Sequence, residues 1–335
     1  MSLADRNFID ICREIIDSGT DTSTAVSRPH WEDGAAAYTC KTFAKKTEYD
    51  LSVEYPVHTL RKTSAISAFD EMLWIYQQKS NNINDLHSHI WDSWADETGS
   101  IGKAYGYQVG VKSRFRLKEA DLVKAYGTAK VPQIDYDGAV IVPGDPAQGG
   151  APIDGVDVRR IPVIKGAGEY YYVDQMDLVL FKLKTNPFDR ANITNLLNPR
   201  EECEMGLRPC AYNVTYNVTQ EPGEDKPTLN LVLMQRSQDM LAAFAWNELQ
   251  YSLLLAAVAQ VSGMKPGKFV HFVVDAHIYD RHVPIVEELI ARTPLPAPKV
   301  WINPEVTDFY QFTRHDVKLL DYEVAGEQVT FPVAI

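Results

Sequence analysis

The sequence is short of the features that mark membrane, secreted and metal-binding proteins. None of its apolar runs reaches the roughly 18 residues that a membrane-spanning helix needs. It has four cysteines in 335 residues and no C-x-x-C pair, so neither a disulfide framework nor a zinc site is expected. Positive charge is also in deficit, and the net charge is -12. This balance argues against general binding to nucleic acid or anionic membranes. The first residues lack the pattern of a signal peptide, so a reduced, cytoplasmic location is predicted.

What the chain does contain is an ordinary globular composition, 45% hydrophobic and 23% charged, with enough length for one large core. No internal repeat or low-complexity tract interrupts it. Apolar spacing predicts helices over 4–18, 63–78, 173–184, 247–261 and 282–292, and strands over 212–218, 227–235 and 269–274. Strands adjacent in sequence and layered with helices indicate an α+β fold, a sheet backed by helices.

Two stretches depart from this pattern. Residues 20–40 are polar and are predicted to form a loop. Residues 112–165 mix prolines and glycines with short β-branched runs such as 139–142. We predict that 112–165 is an inserted lobe, or a long excursion, within one catalytic domain spanning 1–335.

Cys210 lies between an irregular stretch and the alternating run 212–218, so its thiol is expected at the mouth of a strand. Such a thiol becomes a nucleophile when neighbouring cations lower its pKa, and Arg208 and Arg236 are the candidates. Arg236 is followed by Ser237, a pairing of guanidinium and hydroxyl that suits a phosphate. A lone cysteine is more often a buried small hydrophobe, so these residues alone leave both interpretations open.

Three further patterns also have two interpretations each. His277 and Tyr279 alternate at a strand end and face the same side, as a polar strand end or as a pair of donors for a sugar. Trp91 and Trp94 are three residues apart, which suits core packing or a stacking surface for a flat heterocycle. Glu71 lies in an apolar helix, either at its rim or as a buried acid whose raised pKa suits proton relay.

Taken in order, these segments resemble the thymidylate synthase family. The resemblance covers most of the chain, leaves 112–165 largely outside, and rests on residues 70–74, 90–97, 104–108, 209–210, 235–239, 247, 275–279 and 332–335. Residues 280–282 and 301–305 are similar to the branch found in some Gram-positive bacteria and their phages. The resemblance implies a thymidylate-synthase-like fold and a homodimer whose sheets pack back to back. It also implies a dUMP-like pyrimidine nucleotide as substrate and 5,10-methylenetetrahydrofolate as one-carbon donor, with no metal.

The resemblance further implies a role for each site residue. The Cys210 thiolate would add to C6 of the uracil ring, and Asn247 would bind the ring at N3 and O4. Glu71 would move protons through water, and Tyr105 would assist removal of the C5 proton. The nucleotide would be bound by Arg28, Arg236, Ser237, Gln235, His277 and Tyr279, with Arg190 donated by the partner subunit. The folate side would comprise Trp91, Trp94, Asp239, Ala243, Trp246 and Ala334, the last closing over the ligands with the rest of the C-terminal segment.

Several positions depart from the family's usual pattern. Ala191 stands where a second arginine is usual, Ala211 where a histidine often follows the cysteine, and Thr215 where a glutamine is expected. The usual Leu-Gly-Leu-Pro-Phe-Asn segment is replaced here by residues 242–247, which changes the folate-side wall.

These departures leave two alternatives beside methylation. Water could capture the one-carbon unit and give a hydroxymethyl product, or the chain could be an inactive nucleotide-binding paralogue. Methylation is preferred because Trp91, which favours hydride transfer in the family, is retained. An inactive site would have no need to keep all of Cys210, Glu71, Tyr105 and Asn247. Asn247 also predicts dUMP over dCMP as the substrate.

Overall fold

The computed structural model describes residues 1–126, 140–141, 161–166 and 170–335. The strands are β1 (Thr20–Asp21), β2 (Thr39–Asp50), β3 (Lys112–Arg116), β4 (Val140–Ile141), β5 (Val163–Lys165), β6 (Tyr170–Val173), β7 (Ile193–Asn195), β8 (Ala211–Thr219), β9 (Thr228–Gln235), β10 (Gln238–Asp239), β11 (Lys265–Tyr279), β12 (Lys299–Ile302) and β13 (Val317–Leu320). The helices are α1 (Leu3–Ser18), α2 (Ala65–Tyr76), α3 (Gly106–Gly110), α4 (Glu119–Tyr126), α5 (Gln175–Thr185), α6 (Ala245–Val261) and α7 (Val283–Ala291). None of the helices in the described ranges combines the length and the hydrophobicity that spanning a bilayer requires.

The main sheet is mixed, which confirms the predicted class. Among the described residues it has seven strands in the order β1-β2-β11-β9-β8-β7, with β10 beside β11. The pairs β11–β9 and β10–β11 are parallel and the others are antiparallel. Helix α6 is buried nearly all round because it packs both on this sheet and on α2. This arrangement places the start of α6 beside the first residue of β8 and the last residue of β9.

A second sheet, in the order β4-β3-β6-β5, lies in and around the stretch predicted to be an inserted lobe. It shares a small apolar cluster with α4 and α5, formed by Leu122, Val163, Tyr171, Val173 and Phe181. Buried ion pairs join it to the rest of the chain, since Asp174 accepts from Lys112 at 2.7 Å and from Lys79 at 2.6 Å. The prolines that suggested an excursion (Pro132, Pro143, Pro146 and Pro152) lie outside the described residues, and the interpretation as an inserted lobe stays a prediction.

The predicted elements are present, with shifted ends. Helix α5 begins at Gln175 rather than 173, because Val173 belongs to β6 and the Asp174 side chain caps the helix by accepting from the Asp177 N–H at 2.9 Å. Strand β11 runs far beyond the predicted 269–274, from Lys265 to Tyr279.

The prediction of a loop at 20–40 was wrong at both of its ends, because β1 begins at Thr20 and Thr39 opens the 12-residue strand β2. Strand β2 escaped sequence analysis because both of its faces carry polar side chains. The hydroxyls of the inward residues Thr47 and Tyr49 donate to a buried carboxylate, Glu248, and the Tyr49 ring also packs on an apolar neighbour, Phe269. A period-two hydrophobic pattern was therefore absent.

Candidate active site

The pairing of two strands brings Cys210 and Arg236 together. Cys210 directly precedes β8, Arg236 directly follows β9, and Ala211 is paired with Gln235. The Arg236 backbone N–H donates to the Cys210 carbonyl at 2.9 Å. The guanidinium donates to the carbonyls of Pro209 at 3.1 Å and Arg208 at 2.7 Å, and its Nη2 lies 3.9 Å from the Cys210 Sγ. Backbone carbonyls therefore hold a fixed cation beside the thiol.

The thiol's pKa differs from the sequence prediction. Burial raises the pKa of Cys210, and the positive charges of Arg236 and Arg28 only partly oppose this effect. The predicted net lowering was therefore wrong for this conformation. Arg208, the other predicted cation, forms an ion pair with Glu202 at 2.5 Å, and the cations whose charges act on the thiol are Arg236 and Arg28. Arg28, from the segment before β2, takes its place as the second cation.

Tyr105 is placed against Cys210 by an unusual backbone. It has φ +47°, a left-handed conformation that is rare for an aromatic residue. The following Gly106 is required, because a Cβ there would lie 2.0 Å from the Ser80 carbonyl oxygen. In this position the Tyr105 hydroxyl accepts from the Cys210 backbone N–H at 3.2 Å. Backbone strain of this kind is typical of functional sites.

Glu71 is a buried acid with both carboxylate oxygens engaged. The Trp91 indole N–H donates to one oxygen at 2.9 Å, and the Trp246 indole N–H donates to the other. Burial raises the pKa of Glu71 to about 7, and the bonds from Trp246 and Trp91 limit the rise. A carboxyl group with a pKa near neutrality can both take up and release a proton at working pH.

The contact from Trp246 was missed by sequence analysis, which placed this residue only in the folate wall. Trp246 lies in the first turn of α6, and α6 packs on α2, which carries Glu71. The only signal in the sequence is the polar N–H of a tryptophan standing where the family usually has a phenylalanine.

The Trp246→Phe variant is expected to raise the pKa of Glu71 further, by about one unit. Phenylalanine has no N–H to stabilise the carboxylate, and a lost bond to a charged group is worth roughly 1.5 kcal/mol. The pH profile of kcat/KM has an acidic and a basic limb, and the limb that follows the titration of Glu71 should move with its pKa. Trp301→Phe, a substitution on β12, is the matched control and should leave that limb in place. An unmoved limb in Trp246→Phe would contradict the assigned contact.

Asn247 follows Trp246 in the first turn of α6, next to a π-helical turn over Met240–Phe244. Its Oδ1 accepts from the Gln235 side-chain amide at 3.3 Å, and its Nδ2 lies 3.5 Å from the Gln250 Oε1. Gln235 is 1% exposed, and its Nε2 also donates to the Ser237 backbone carbonyl at 3.0 Å. The structure thus places Gln235 behind Asn247.

The predicted sugar and phosphate residues occupy three different segments. The rings of His277 and Tyr279, at the end of β11, are 5.2 Å apart, and the His277 Nδ1 lies 3.0 Å from Asp275. Burial and the charges of Asp239 and Cys210 raise the pKa of Tyr279 to about 12, so its phenol stays protonated. Arg28 is exposed, but its charge acts on both Cys210 and Tyr279.

Arg190 is the exception among the predicted phosphate-binding residues. It is exposed in the loop between α5 and β7. Among the described residues, no hydrogen bond or ion pair connects it with Cys210 or Arg236. Within one chain, Arg190 therefore does not join Cys210 and Arg236.

The predicted folate side borders a cavity of about 300 Å³. The lining residues are Arg61, Lys62, Thr63, Ser64, Ala242, Trp246 and Gln328. Asp239 caps the neighbouring π-helical turn, accepting from the N–H groups of Leu241 at 2.9 Å and Ala242 at 3.0 Å. Ala243 is partly buried in this turn. Trp94 packs on Trp91, with ring centroids 5.7 Å apart.

Sequence analysis did not propose the lining residues 61–64. Arg61 and Lys62 are three and two positions before Ser64, the residue that caps α2. Adjacent basic residues before a helix start are common on surfaces. What marks this segment as part of the cavity is the tertiary contact of Arg61, whose guanidinium donates to the carbonyls of Leu241 at 2.5 Å and Ala242 at 3.2 Å in the π-helical turn.

The last residues of the sequence are docked beside the nucleotide segment. Ile335 and His30 exchange two backbone hydrogen bonds, at 2.7 and 2.9 Å. The His282 Nε2 lies 2.8 Å from the Pro332 carbonyl, and Phe331 packs under the Arg61 guanidinium. Ala334 is partly buried in this arrangement. The segment carrying Arg28 and the end of the sequence are thereby joined.

Comparison with known proteins gives a consistent result. The family model described as thymidylate synthase matches residues 6–335. The thymidylate synthase of Bacillus mojavensis is 34% identical over 339 residues, and that of Bacillus phage phi3T is 32% identical over the same length; both alignments cover all of both chains. Among solved structures, thermostable thymidylate synthase A from Bacillus subtilis is similar, with a TM-score of 0.75, 32% identity and 99% of each chain covered. These alignments also run through residues 112–165, which the motifs alone had left largely outside.

Proposed function

The chain belongs to the thymidylate synthase family, and from this premise we propose that it methylates C5 of dUMP, giving dTMP and dihydrofolate. One observation carries the proposal beyond the family match. Cys210 contacts both Tyr105 and Arg236, and the other two proposed catalytic residues, Glu71 and Asn247, lie on α2 and α6, which pack on each other. The full-length relatives from Bacillus mojavensis and Bacillus phage phi3T are both thymidylate synthases, so a hydroxymethyl product is not favoured.

The first proposed step is addition of the Cys210 thiolate to C6 of the uracil ring. A carbon–sulfur bond forms at C6, and the ring's π electrons move toward C5 and O4. Arg236 stabilises the thiolate before attack. The Asn247 amide accepts from N3–H and donates to O4, where negative charge develops. C5 thereby becomes the nucleophile that accepts the one-carbon unit.

Glu71 and Tyr105 are proposed to handle protons. Glu71, whose pKa is about 7, exchanges a proton with O4 through water. The Tyr105 hydroxyl, held at the Cys210 backbone N–H, assists loss of the proton from C5. Cleavage of the bond between Cys210 and C6 then releases the product and regenerates the thiolate.

The folate-side residues are compatible with 5,10-methylenetetrahydrofolate. A folate has a flat pterin ring and an anionic glutamate end, and the cavity offers an indole, Trp246, and two cations, Arg61 and Lys62. Asp239 supplies a carboxylate for the pterin's donors. When bound, the folate supplies the one-carbon unit and the hydride. Trp91 and Trp94 are proposed to lie along it, and Ala243 and Ala334 to close the wall.

A homodimer is proposed to complete the site. Phe272 and Val274 on β11 are 38% and 40% exposed and alternate with buried residues of that strand, so they lie on the sheet face opposite α6. Phe43, on the neighbouring strand β2, is 76% exposed. Apolar side chains at the centre of a sheet face indicate that a second copy covers it. The partner would then donate Arg190 to the phosphate, beside Arg28, Arg236 and Ser237. His277 and Tyr279 would bind the 3′-hydroxyl.

Mixed dimers test the origin of Arg190. We expect Cys210→Ser and Arg190→Glu to be nearly inactive alone, and an equal mixture to recover about a quarter of the wild-type activity after subunits exchange, since about half of the dimers are then heterodimers with one active site of two. In the heterodimer, one site combines an intact Cys210 with the partner's intact Arg190. Mixing Cys210→Ser with Glu71→Gln is the control and should recover nothing, since both residues belong to the same chain's site. Absence of recovery in the first mixture would place Arg190 in its own subunit's site, or outside it.

The proposed reaction is tested most directly by the mass of the product. Methylation adds CH2 to dUMP and yields dihydrofolate, whereas hydroxymethylation adds CH2O and leaves the folate as tetrahydrofolate. We expect only the first pair. We also propose a location in the cytoplasm of a bacterium or of a phage-infected cell, because the relatives come from Bacillus species and a Bacillus phage.

A further inference from the structure

His282 lies between the folate side of the site and the end of the sequence, and the proposed reaction gives it no role. It ends the short turn between β11 and α7 and is 0% exposed. On one side of the ring, Nε2 lies 2.8 Å from the Pro332 carbonyl in the C-terminal segment. On the other side, Nδ1 lies 3.8 Å from Oδ1 of Asp239, the carboxylate proposed for the pterin. One buried side chain therefore faces both the C-terminal segment and Asp239.

The two neighbours of the ring determine where its protons lie. A backbone carbonyl can only accept, so the His282 nitrogen beside Pro332 must carry a proton. In a neutral ring, Nδ1 would then present its lone pair to the Asp239 carboxylate, which is also only an acceptor. Nδ1 is buried and has no hydrogen-bond partner among the described residues. A doubly protonated ring avoids this repulsion, and the pKa of His282 is raised accordingly: burial acts to lower it, and the Asp239 carboxylate raises it by more.

The two oxygens of Asp239 are used differently. Oδ1 accepts from the N–H groups of Leu241 at 2.9 Å and Ala242 at 3.0 Å, and it is also the oxygen that faces His282. None of these contacts engages Oδ2, which leaves that oxygen for the donors of a pterin. The pKa of Asp239 is lowered although burial acts to raise it, because His282 stabilises the carboxylate more than any other neighbour does. The histidine thus keeps this carboxylate ionised beside the cavity.

The remaining neighbours of the histidine are one carboxylate and three aromatic rings. Asp280, in the same turn, accepts from the Trp31 indole N–H at 3.1 Å and raises the pKa of the histidine less than Asp239 does. The rings of Trp31, Tyr279 and Phe331 lie edge-on at centroid distances of 5.4, 5.6 and 5.6 Å. The Tyr279 phenol stays protonated, since its pKa is raised to about 12. Asp239 is therefore the main anion that acts on the histidine.

We propose that His282 is a positioning residue for the folate: it holds the C-terminal segment through the Pro332 carbonyl, and as a cation it keeps Asp239 ionised and fixed for the pterin. The inference rests on the proposed function, because it takes Asp239 as the residue that binds the pterin. The backbone bonds between Ile335 and His30 hold the last residue, and His282 supplies a side-chain attachment for the same segment.

Two variants separate the two contacts. His282→Gln keeps an N–H that can reach the Pro332 carbonyl but removes the positive charge, whereas His282→Phe removes both. Without the cation, the pKa of Asp239 should rise by about one unit or more, so that its protonation weakens folate binding at a higher pH than in the wild type. Phe331→Leu is the matched control, because it loosens the packing on the same ring and leaves the charge in place.

The measurements are the dissociation constant of dihydrofolate as a function of pH, with dUMP present, and hydrogen exchange of the C-terminal segment without ligands. We expect the pH below which dihydrofolate binding weakens to move up by at least about one unit in both His282 variants and to stay in place in Phe331→Leu. Exchange at residues 331–335 should be at least about fivefold faster in His282→Phe and close to the wild type in His282→Gln, because only the first loses the bond to Pro332.

This pattern supports the proposal. An unmoved pH dependence in both His282 variants, or an equal shift in Phe331→Leu, overturns it and makes the histidine a packing residue. Unchanged exchange in His282→Phe overturns its attachment to the C-terminal segment. If His282→Phe does not fold, the pH dependence of His282→Gln decides. Failure of the proposed function is distinguishable, because the wild type itself would then bind no dihydrofolate, whereas the exchange measurement needs no ligand.

Discussion

The Cys210→Ser variant is expected to turn over dUMP at least about 10³-fold more slowly than the wild type, the scale on which loss of an enzymatic nucleophile is measured. Burial raises the pKa of the Cys210 thiol, and Arg236 and Arg28 act against that rise. A serine hydroxyl starts from a much higher pKa, so the same two cations cannot ionise it. The variant should still bind dUMP, because the phosphate, ribose and base contacts remain.

Covalent trapping separates loss of the nucleophile from loss of the fold. With 5-fluoro-dUMP and the folate, the wild type should form a stable adduct whose mass includes the nucleotide, and Cys210→Ser should form none. Cys203→Ser is the matched control, since Cys203 is exposed on a short helical turn, and no hydrogen bond or ion pair among the described residues joins its side chain to a proposed site residue. Substantial activity in Cys210→Ser, or an adduct that maps to another cysteine, would overturn the assignment.

The Glu71→Gln variant is expected to lower kcat by about 10²–10⁴, the usual contribution of a positioned acid or base. An amide cannot exchange a proton with O4 through water. The dissociation constant of dUMP should change little, because Glu71 contacts two indoles rather than the proposed nucleotide residues. Asp70→Asn is the control: this neighbouring carboxylate on the same helix is also buried, but it accepts from His87. A kcat within tenfold of the wild type in Glu71→Gln would exclude the proposed role.

The same variant has a predictable effect on stability. The pKa of Glu71 is raised to about 7 in the folded protein, above its ordinary value of 4.5. Ionising this group therefore costs folding free energy, and the cost grows as pH rises between the two values and levels off above about 7. We expect the free energy of unfolding of Glu71→Gln, relative to the wild type, to increase by up to about 1.4 kcal/mol per pH unit across this window. Urea unfolding at several pH values measures this. A difference that is independent of pH would mean that Glu71 titrates normally.

Local sequence patterns were sufficient for most of the helices and for the strands beside the site. The apolar stretch of α6 and the alternation of apolar and polar residues in β8 and β9 are patterns of neighbouring residues, so a short window of sequence is enough to predict these elements. The long polar strand β2 was missed because its buried residues, Thr47 and Tyr49, satisfy a carboxylate that lies about 200 positions further along the chain, as the separations of 201 and 199 residues show. No window of adjacent residues contains that information.

The family and the candidate nucleophile follow from the amino-acid sequence, because the order of short motifs around Cys210, Asn247 and Glu71 is specific even where each motif is weak. Tertiary structure decided what surrounds those residues. Packing of α2 on α6 brings Trp246 to Glu71 across 175 positions, and the sheet brings His271 and Gln235 behind Asn247. Such contacts depend on how distant elements pack. The pKa of a side chain in turn depends on the burial and the charges that this packing creates. For the same reason the pKa of Cys210 proved to be raised where its neighbours in sequence had predicted a lowered one.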